Sequence, residues 1–217
     1  MMESGNASEG NSAMGNSSNA SDGSAQTPYP LPMALATLVL SVAGLVGNLL
    51  IVLAMLRSRK LQNKCSALIG ALAATDFIIC AYLTQLRVII LLDGDSSKWT
   101  NAQCLTVSVH GIFALSVQSG LGLAIGIDRL LAIRLPHLYN KWPACTYLTA
   151  LSTPILAYAT LLTLFAFRES TETPVWVCMP PTAYSGKARQ LWVASNIVIV
   201  LFVLITYGLA HHIVRRK

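Results

Sequence analysis

The stretch LPMALATLVLSVAGLVGNLLIVLAML, residues 31–56, contains no Lys, Arg, Asp or Glu over 26 consecutive positions. An α-helix rises about 1.5 Å per residue, so about 20 apolar residues cross the roughly 30 Å hydrocarbon core of a bilayer. The stretch is therefore long enough to span a membrane as one helix. The rest of the sequence decides whether it is a single anchor or one of several spans.

Four further stretches, at 65–86, 104–127, 145–167 and 191–210, are equally poor in charge, and Asp76 is the only acidic residue inside them. Only 11% of the 217 residues are charged, against about a quarter in a typical soluble domain. A soluble bundle would need amphipathic stripes with charged faces. The pattern predicts an all-α transmembrane protein, with spans at about 31–57, 65–92, 101–134, 144–167 and 190–215.

Basic residues predict the orientation, because Lys and Arg collect in cytoplasmic loops. Alternate loops place ten of the 15 basic residues on one side of the membrane. These are Arg57, Arg59, Lys60, Lys64, Arg129, Arg134, Lys141, Arg215, Arg216 and Lys217. We therefore expect a plasma-membrane protein with its N-terminus extracellular and its C-terminus cytoplasmic. No basic face with interleaved aromatic residues is present, so nucleic-acid binding is not predicted.

The first 30 residues differ in composition from the multi-pass domain predicted over 31–217. They are rich in Ser, Asn, Gly and Ala and cannot bury a core, so we expect a disordered extracellular tail. Asn6, Asn16 and Asn19 each begin an Asn-x-Ser triplet, which predicts N-glycosylation. The tail lacks the features of a cleaved signal peptide, so the first helix is expected to insert uncleaved.

Two of the five cysteines, Cys104 and Cys178, fall on the predicted outer side, where conditions are oxidising. A disulfide between them is chemically allowed, and the alternative is two unpaired small hydrophobic residues. Within the membrane, Asp76 is either a protonated structural residue or a cation or proton site with Asn48 and Gln118 as polar neighbours. Small residues that would let helix backbones approach closely are Gly44, Gly47, Gly120, Gly122 and Gly126.

The pair Asp128–Arg129 follows the third uncharged run and, taken alone, fits an interfacial anchor whose arginine reaches lipid phosphates. Other motifs occur in a fixed order around it. They are Gly47-Asn48, Leu72-Ala73-Ala74-Thr75-Asp76, Cys104, Asp128-Arg129-Leu130, Pro136, Tyr139, Cys178 and Tyr207. In this order and spacing, over roughly residues 33–215, the chain resembles the rhodopsin-like (class A) seven-transmembrane G-protein-coupled receptors. KCSALIGALAATDFI and IGIDRLLAIRLP are most similar to nematode serpentine chemosensory receptors of the Srsx type.

The resemblance implies roles at the cytoplasmic end of the third helix. Arg129 would pair with Asp128 at rest and would turn on activation towards Tyr207 and a heterotrimeric G protein. Leu130 stands where the family usually has Tyr. The resemblance also implies the disulfide between Cys104 and Cys178 and a sodium ion in the polar network around Asp76; no other cofactor is expected.

The resemblance places an extracellular ligand in the outer half of the bundle. The pocket residues it implies are His110, Gly111, Ser116, Trp192 and Ser195. Gly111 occupies the position where amine receptors carry an Asp, so an amine would lack its counter-ion. Each of the other residues is also compatible with simple helix packing or an interfacial position.

Besides Leu130, the sequence departs from the family in three ways: Trp142 lies only near the start of the fourth helix, Ile199 replaces the usual Pro of the fifth, and the sequence stops at Lys217. We therefore expect a receptor for a peptide or other non-amine ligand, orphan or chemosensory, that is truncated before helices six and seven. The alternative is a non-signalling five-helix fragment that associates with a full-length receptor or regulates its trafficking. Receptor dimerisation is a further expectation, and no catalytic grouping suggests an enzyme.

Overall fold

The computed structural model describes residues 31–58, 63–93, 99–175 and 178–216. Its elements in chain order are α1 (Leu31–Arg57), α2 (Lys64–Asp93), β1 (Trp99–Thr100), α3 (Asn101–Arg134), α4 (Pro136–Lys141), α5 (Ala144–Arg168), β2 (Pro174–Val175), α6 (Pro180–Ala183) and α7 (Gly186–Arg215). Helices α1, α2, α3, α5 and α7 are each long and apolar enough to cross a membrane, which confirms the predicted all-α transmembrane bundle. The tail with Asn6, Asn16 and Asn19 lies outside the described residues.

Helix α3 is the centre of the bundle. It packs against α2, α5 and α7, whereas α1 packs chiefly on α2. As a result α3 is the most buried of the five spans and α1 the least. Many apolar side chains of α1 and α7 are exposed, including Leu40 and Leu204. Such exposure suits helices that face hydrocarbon, where an apolar surface needs no cover from water.

Short elements close the end of the bundle at which α3 begins, which we call the outer end after the orientation expected from the sequence. β1 and β2 form a two-residue antiparallel pair, with Trp99 opposite Val175. Helix α7 begins at Gly186, before the predicted residue 190, because the loop after α5 supports its first turn. Gly186 has a φ of 49°, and a Cβ there would stand 2.9 Å from a carboxylate oxygen of Glu169. The hydroxyl of Ser185 donates to the backbone oxygen of Glu169.

The buried side chains form two clusters along α3. The outer cluster is Tyr82, Leu86, Cys104, Leu105, Ile112, Leu162, Ala166, Cys178, Ala183, Tyr184 and Ala188. The inner cluster is Leu68, Val117, Leu121, Ala124, Ile125 and Ala159. The predicted ligand-binding and signalling residues lie around these clusters, at the two ends of the bundle.

Candidate functional site

The outer loop after α5 is fastened to the start of α3 by backbone hydrogen bonds, in which the N–H groups of Asn101 and Ala102 donate to Thr173 and Thr171, and by two side-chain links. One is the disulfide between Cys104 and Cys178, whose Cα atoms lie 5.5 Å apart, which confirms the predicted pairing. The other is the buried side chain of Asn101, which no sequence motif marks. Its amide donates to the carbonyl oxygens of Thr182 at 2.8 Å and Ala183 at 3.0 Å. Because its side-chain oxygen also accepts from a backbone N–H earlier in the loop, both halves of the loop are tied to α3.

Gly111, a predicted pocket residue on α3, is covered by the ring of Tyr82 from α2. A Cβ atom on Gly111 would stand 2.2 Å from two ring carbons of Tyr82. Tyr82 is fully buried, and its ring makes an edge-to-face contact with His110, with centroids 5.5 Å apart. A side chain at position 111 therefore has no room while Tyr82 stays in place.

The other predicted pocket residues contact protein groups. Trp192 stacks on Tyr184, with ring centroids 5.3 Å apart. The hydroxyl of Ser195 shares a hydrogen bond with that of Tyr158, which joins α7 to α5. Ser116 is fully buried and donates to a backbone carbonyl one turn earlier in α3, at 3.1 Å. These residues line one region between α3, α5 and α7, but each also serves to pack the helices.

Three tyrosines that no motif marks make this outer region aromatic, namely Tyr82, Tyr158 and Tyr184, and the buried Arg87 lies near Tyr82. Burial raises the pKa of Tyr184 above its ordinary value, so its phenol keeps its proton at neutral pH. The buried hydroxyls of Tyr82 and Tyr184 have Ser108 and Ser116 as polar neighbours. The only signal in the sequence is a tyrosine within or beside an uncharged run, and that signal does not distinguish a pocket from a core.

A polar pair lies in the middle of the bundle. The side-chain amide of Gln118 on α3 donates to a carboxylate oxygen of Asp76 on α2, at 2.6 Å. The structure therefore brings together two of the three residues of the expected polar network. The third, Asn48, is half-buried on α1, and its side chain interacts with the thiol of Cys80.

The C-terminal end of α3 presents Asp128 and Arg129 in different environments. Asp128 is 1% exposed; among the described residues its carboxylate oxygens accept no hydrogen bond of ordinary geometry, although the hydroxyls of Tyr139 and Tyr147 lie close to it. Arg129 is exposed and is not hydrogen-bonded to Asp128 in this arrangement, and Leu130 is half-buried. The ring of Tyr207 lies against α3 at Gly126, where a Cβ would be 3.5 Å from a ring carbon.

Beside Asp128, the side chain of Lys64 on α2 is enclosed by two tyrosines. Its ammonium lies 4.5 Å from the ring centroid of Tyr139 in α4 and 5.4 Å from that of Tyr147 in α5. It also donates to the backbone oxygen of Tyr139. We call Lys64, Tyr139 and Tyr147 the lysine cage. Burial raises the pKa of Tyr139 to about 12, and the neighbouring Asp128 carboxylate adds to the rise.

Comparisons with known proteins agree on one family. A family model described as the serpentine-type seven-transmembrane G-protein-coupled chemoreceptor Srsx matches residues 41–217. Melatonin receptor type 1B of Mus musculus is 31% identical over 147 residues, which are 65% of this chain and 38% of that receptor. Prokineticin receptor 2 of Rattus norvegicus is 34% identical over 125 residues, 55% of this chain and 31% of the receptor. Dopamine receptor 2 of Caenorhabditis elegans is 26% identical over 107 residues, 49% of this chain and 13% of the receptor. The chain thus spans about a third of the length of the first two relatives.

Proposed function

The chain belongs to the Srsx family of serpentine seven-transmembrane G-protein-coupled chemoreceptors, and on that premise we propose that it senses an extracellular ligand without an amine group and signals to a heterotrimeric G protein. The ligand would bind in the outer aromatic region, and the G protein would contact the cytoplasmic end of α3. In this proposal the protein lies in the plasma membrane with its N-terminus outside and its C-terminus inside.

One observation supports the choice of ligand class: Gly111 carries no side chain and Tyr82 fills the space beside it. An ammonium group buried in a low-dielectric site needs a carboxylate partner, because desolvating an unpaired charge costs several kcal/mol. The residues described around Gly111 offer phenols, hydroxyls and an imidazole from Tyr184, Ser195 and His110, whereas the carboxylate of Glu169 lies in the loop against Gly186. These groups suit a neutral peptide or small molecule. Dopamine, which the name of one relative contains, is an amine and is therefore not proposed as a ligand of this chain.

The ligand proposal is tested by installing what an amine site would need. We expect that dopamine, serotonin and tyramine do not change nucleotide exchange by G proteins mixed with the wild-type chain in nanodiscs. A double variant, Gly111→Asp with Tyr82→Ala, supplies a carboxylate and the room for it and should gain dopamine binding. Gly111→Asp alone should not, because the ring of Tyr82 is still in place. A wild-type response to any of the three amines would overturn the proposed ligand class.

Coupling is tested at Arg129, with Arg134 as the matched control. Both arginines are exposed and both lie at the cytoplasmic end of α3. Arg129→Ala should lower basal nucleotide exchange roughly tenfold or more, the loss expected for one charge-assisted hydrogen bond, while leaving membrane insertion intact. Arg134→Ala should change it much less. Equal rates for the two variants would mean that Asp128–Arg129 is only an interfacial anchor.

A second candidate function is association with another receptor chain. Asp76–Gln118 and a second pair, Ser119–Asn196 at 2.7 Å, are only part-buried although they lie within membrane spans. Polar groups at that depth are usually covered by protein. Helices of a full-length receptor or of a second copy would provide that cover. Co-precipitation with a full-length relative, lowered surface expression of that relative and no nucleotide exchange by this chain alone would together favour this function.

A sodium ion at Asp76 is a further proposal. The carboxylate is half-buried and has one oxygen that accepts from Gln118. In this arrangement the amide presents an N–H rather than an oxygen, so a cation would depend on the second carboxylate oxygen and on ligands beyond this pair. Thermal unfolding measured in sodium and in choline chloride tests it: a Tm gain in sodium that Asp76→Asn abolishes supports the ion.

A further inference from the structure

The short cytoplasmic helix α4 has a single inward-facing residue. Of its six residues, only Tyr139 is not exposed. The five exposed residues are Pro136, His137, Leu138, Asn140 and Lys141. A helix of this length is unstable by itself in water, so its position must be set by whatever holds Tyr139.

Lys64 holds Tyr139 through two kinds of contact at once. The last four carbonyl groups of a helix have no partner within it, and the backbone oxygen of Tyr139 is one of these in α4. Lys64 donates to that oxygen, and a positive charge is favourable at the C-terminal end of a helix. The same ammonium lies over the ring of Tyr139, within the distance at which cations attract aromatic faces.

The lysine cage connects three separate elements. Lys64 comes from the first turn of α2, Tyr139 from α4 and Tyr147 from the first turn of α5. The two tyrosine rings also meet edge to face, with centroids 5.6 Å apart. Lys64 therefore links α4 to the cytoplasmic ends of two membrane spans, beside the contact of Tyr139 with Asp128.

Packing behind α4 is loose. An apolar groove of about 170 Å³, partly open at the surface, lies between α4 and the ends of α3 and α5. Its lining is Leu131, Leu135, Leu138, Tyr139, Trp142 and Tyr147. Because this apolar space leaves α4 room to shift, steric packing alone does not determine its position, and the contacts of Lys64 gain weight.

We propose that Lys64 is a positioning residue: it holds α4 in place beside Asp128 and Arg129 and so shapes the cytoplasmic surface that a G protein meets. The effect on coupling rests on the proposed receptor function, whereas the hold on α4 does not. From the sequence alone, Lys64 is only one of the basic residues that predict the orientation of the chain in the membrane.

Hydrogen exchange tests the hold on α4 without any ligand or G protein. The amide of Tyr139 bonds to the backbone oxygen of Leu135 at 3.0 Å, so its exchange rate reports opening of α4. In nanodiscs, Lys64→Met should speed this exchange roughly tenfold, the loss expected for one charge-assisted hydrogen bond and a cation–π contact. Lys64→Arg, which keeps the charge and the donors, should restore most of the protection.

Lys141→Met is the matched control, because it removes an equal charge from an exposed site on α4 itself. Tyr147→Leu removes one wall of the cage without altering α2 and should give an intermediate exchange rate. It also keeps the test valid should Lys64→Met fold poorly. Equal exchange rates in Lys64→Met and Lys141→Met would overturn the proposal.

Basal nucleotide exchange by a panel of purified G proteins tests the effect on coupling. Lys64→Met should lower it several-fold, and Lys64→Arg should recover it, which a merely destabilised bundle would not do. Faster amide exchange with unchanged coupling would overturn the link between α4 and the G protein. If the wild-type chain activates no G protein, the proposed receptor function fails, and the hydrogen-exchange result alone decides whether Lys64 holds α4.

Discussion

Replacing Gly111 with alanine would place a methyl group in steric overlap with the ring of Tyr82. The new Cβ would lie 2.2 Å from two ring carbons, whereas carbon atoms in favourable contact are about 3.5–4.0 Å apart. Tyr82 is fully buried between α2 and α3 and cannot turn aside without displacing its neighbours. Overpacking of this kind typically costs about 1–3 kcal/mol, and the overlap at position 111 points to the upper part of that range.

Gly122→Ala on the same helix is the matched control. A Cβ there would meet no atom within 4 Å. Alanine is favoured over glycine in a helix by about 1 kcal/mol, so this variant should be neutral or slightly stabilised. The same gain offsets part of the cost at Gly111, which leaves a net destabilisation of about 1–2 kcal/mol. The two variants should therefore differ by roughly 2–3 kcal/mol in the free energy of unfolding.

Thermal unfolding of the chain in detergent measures this difference. A thiol-reactive fluorophore can report it, because Cys65 and Cys80 are free and only part-exposed in the folded chain. At roughly 2–4 °C per kcal/mol for a chain of this size, Gly111→Ala should unfold several degrees below Gly122→Ala. In a Tyr82→Ala background the two glycine variants should behave alike, since the clash is gone. Equal Tm values in the wild-type background would refute the reasoning.

Three further predictions concern the two ends of the bundle. Asn101→Ala removes three hydrogen bonds between its side chain and the backbone of the loop, so it should lower the free energy of unfolding by about 2–4 kcal/mol, measured by the same thermal assay. Cys104→Ser should lower surface delivery in flow cytometry of an N-terminally tagged chain, and Cys178→Ser added to it should cause no further loss, because both act on one disulfide. The phenol of Tyr139 should titrate near pH 12 in the absorbance difference from Tyr139→Phe. Because its pKa is raised on folding, its contribution to stability is full below about pH 10 and is lost as pH rises through about 12; a titration centred near pH 10 would show that Tyr139 is not buried.

The membrane spans could be predicted because their cause is local. A helix in hydrocarbon satisfies its backbone hydrogen bonds within one segment, so each uncharged run reports its own span. The disulfide could also be predicted, since Cys104 and Cys178 are the two cysteines on the predicted outer side and the family resemblance pairs them. The start of α7 was misplaced by four residues, because Lys187 and Arg189 carry charges that the run of apolar residues excludes.

The lysine cage and the role of Asn101 could not be predicted, because their causes are not local. Lys64 and Tyr139 are 75 residues apart, and Asn101 is 81 residues from the first carbonyl that it binds. Each contact depends on how two or three helices cross. The hydrophobic periodicity of one segment does not predict that crossing. The missing hydrogen bond between Asp128 and Arg129 is of the same kind, since adjacency in sequence does not set where two neighbouring side chains point.

The glycines of α3 show where prediction from the sequence stops. Gly111 and Gly122 are 11 residues apart, so they lie within about 20° of one another on the helix surface but about 16 Å apart along its axis. Because helices cross at an angle, a neighbour comes closest at one level only. Helix α2 meets α3 at Gly111, α5 meets it at Gly120 and α7 at Gly126, while Gly122 meets nothing within 4 Å. The expectation of close approach was therefore wrong for Gly122, and likewise for Gly47 on α1, where a Cβ would also meet no described neighbour within 4 Å. The sequence predicts the face of a helix but not the level of the contact. Gly111 lies under Tyr82 in the outer region and Gly126 lies against Tyr207, two residues before Asp128, so a change at Gly111 should act on the ligand region and one at Gly126 on the coupling region.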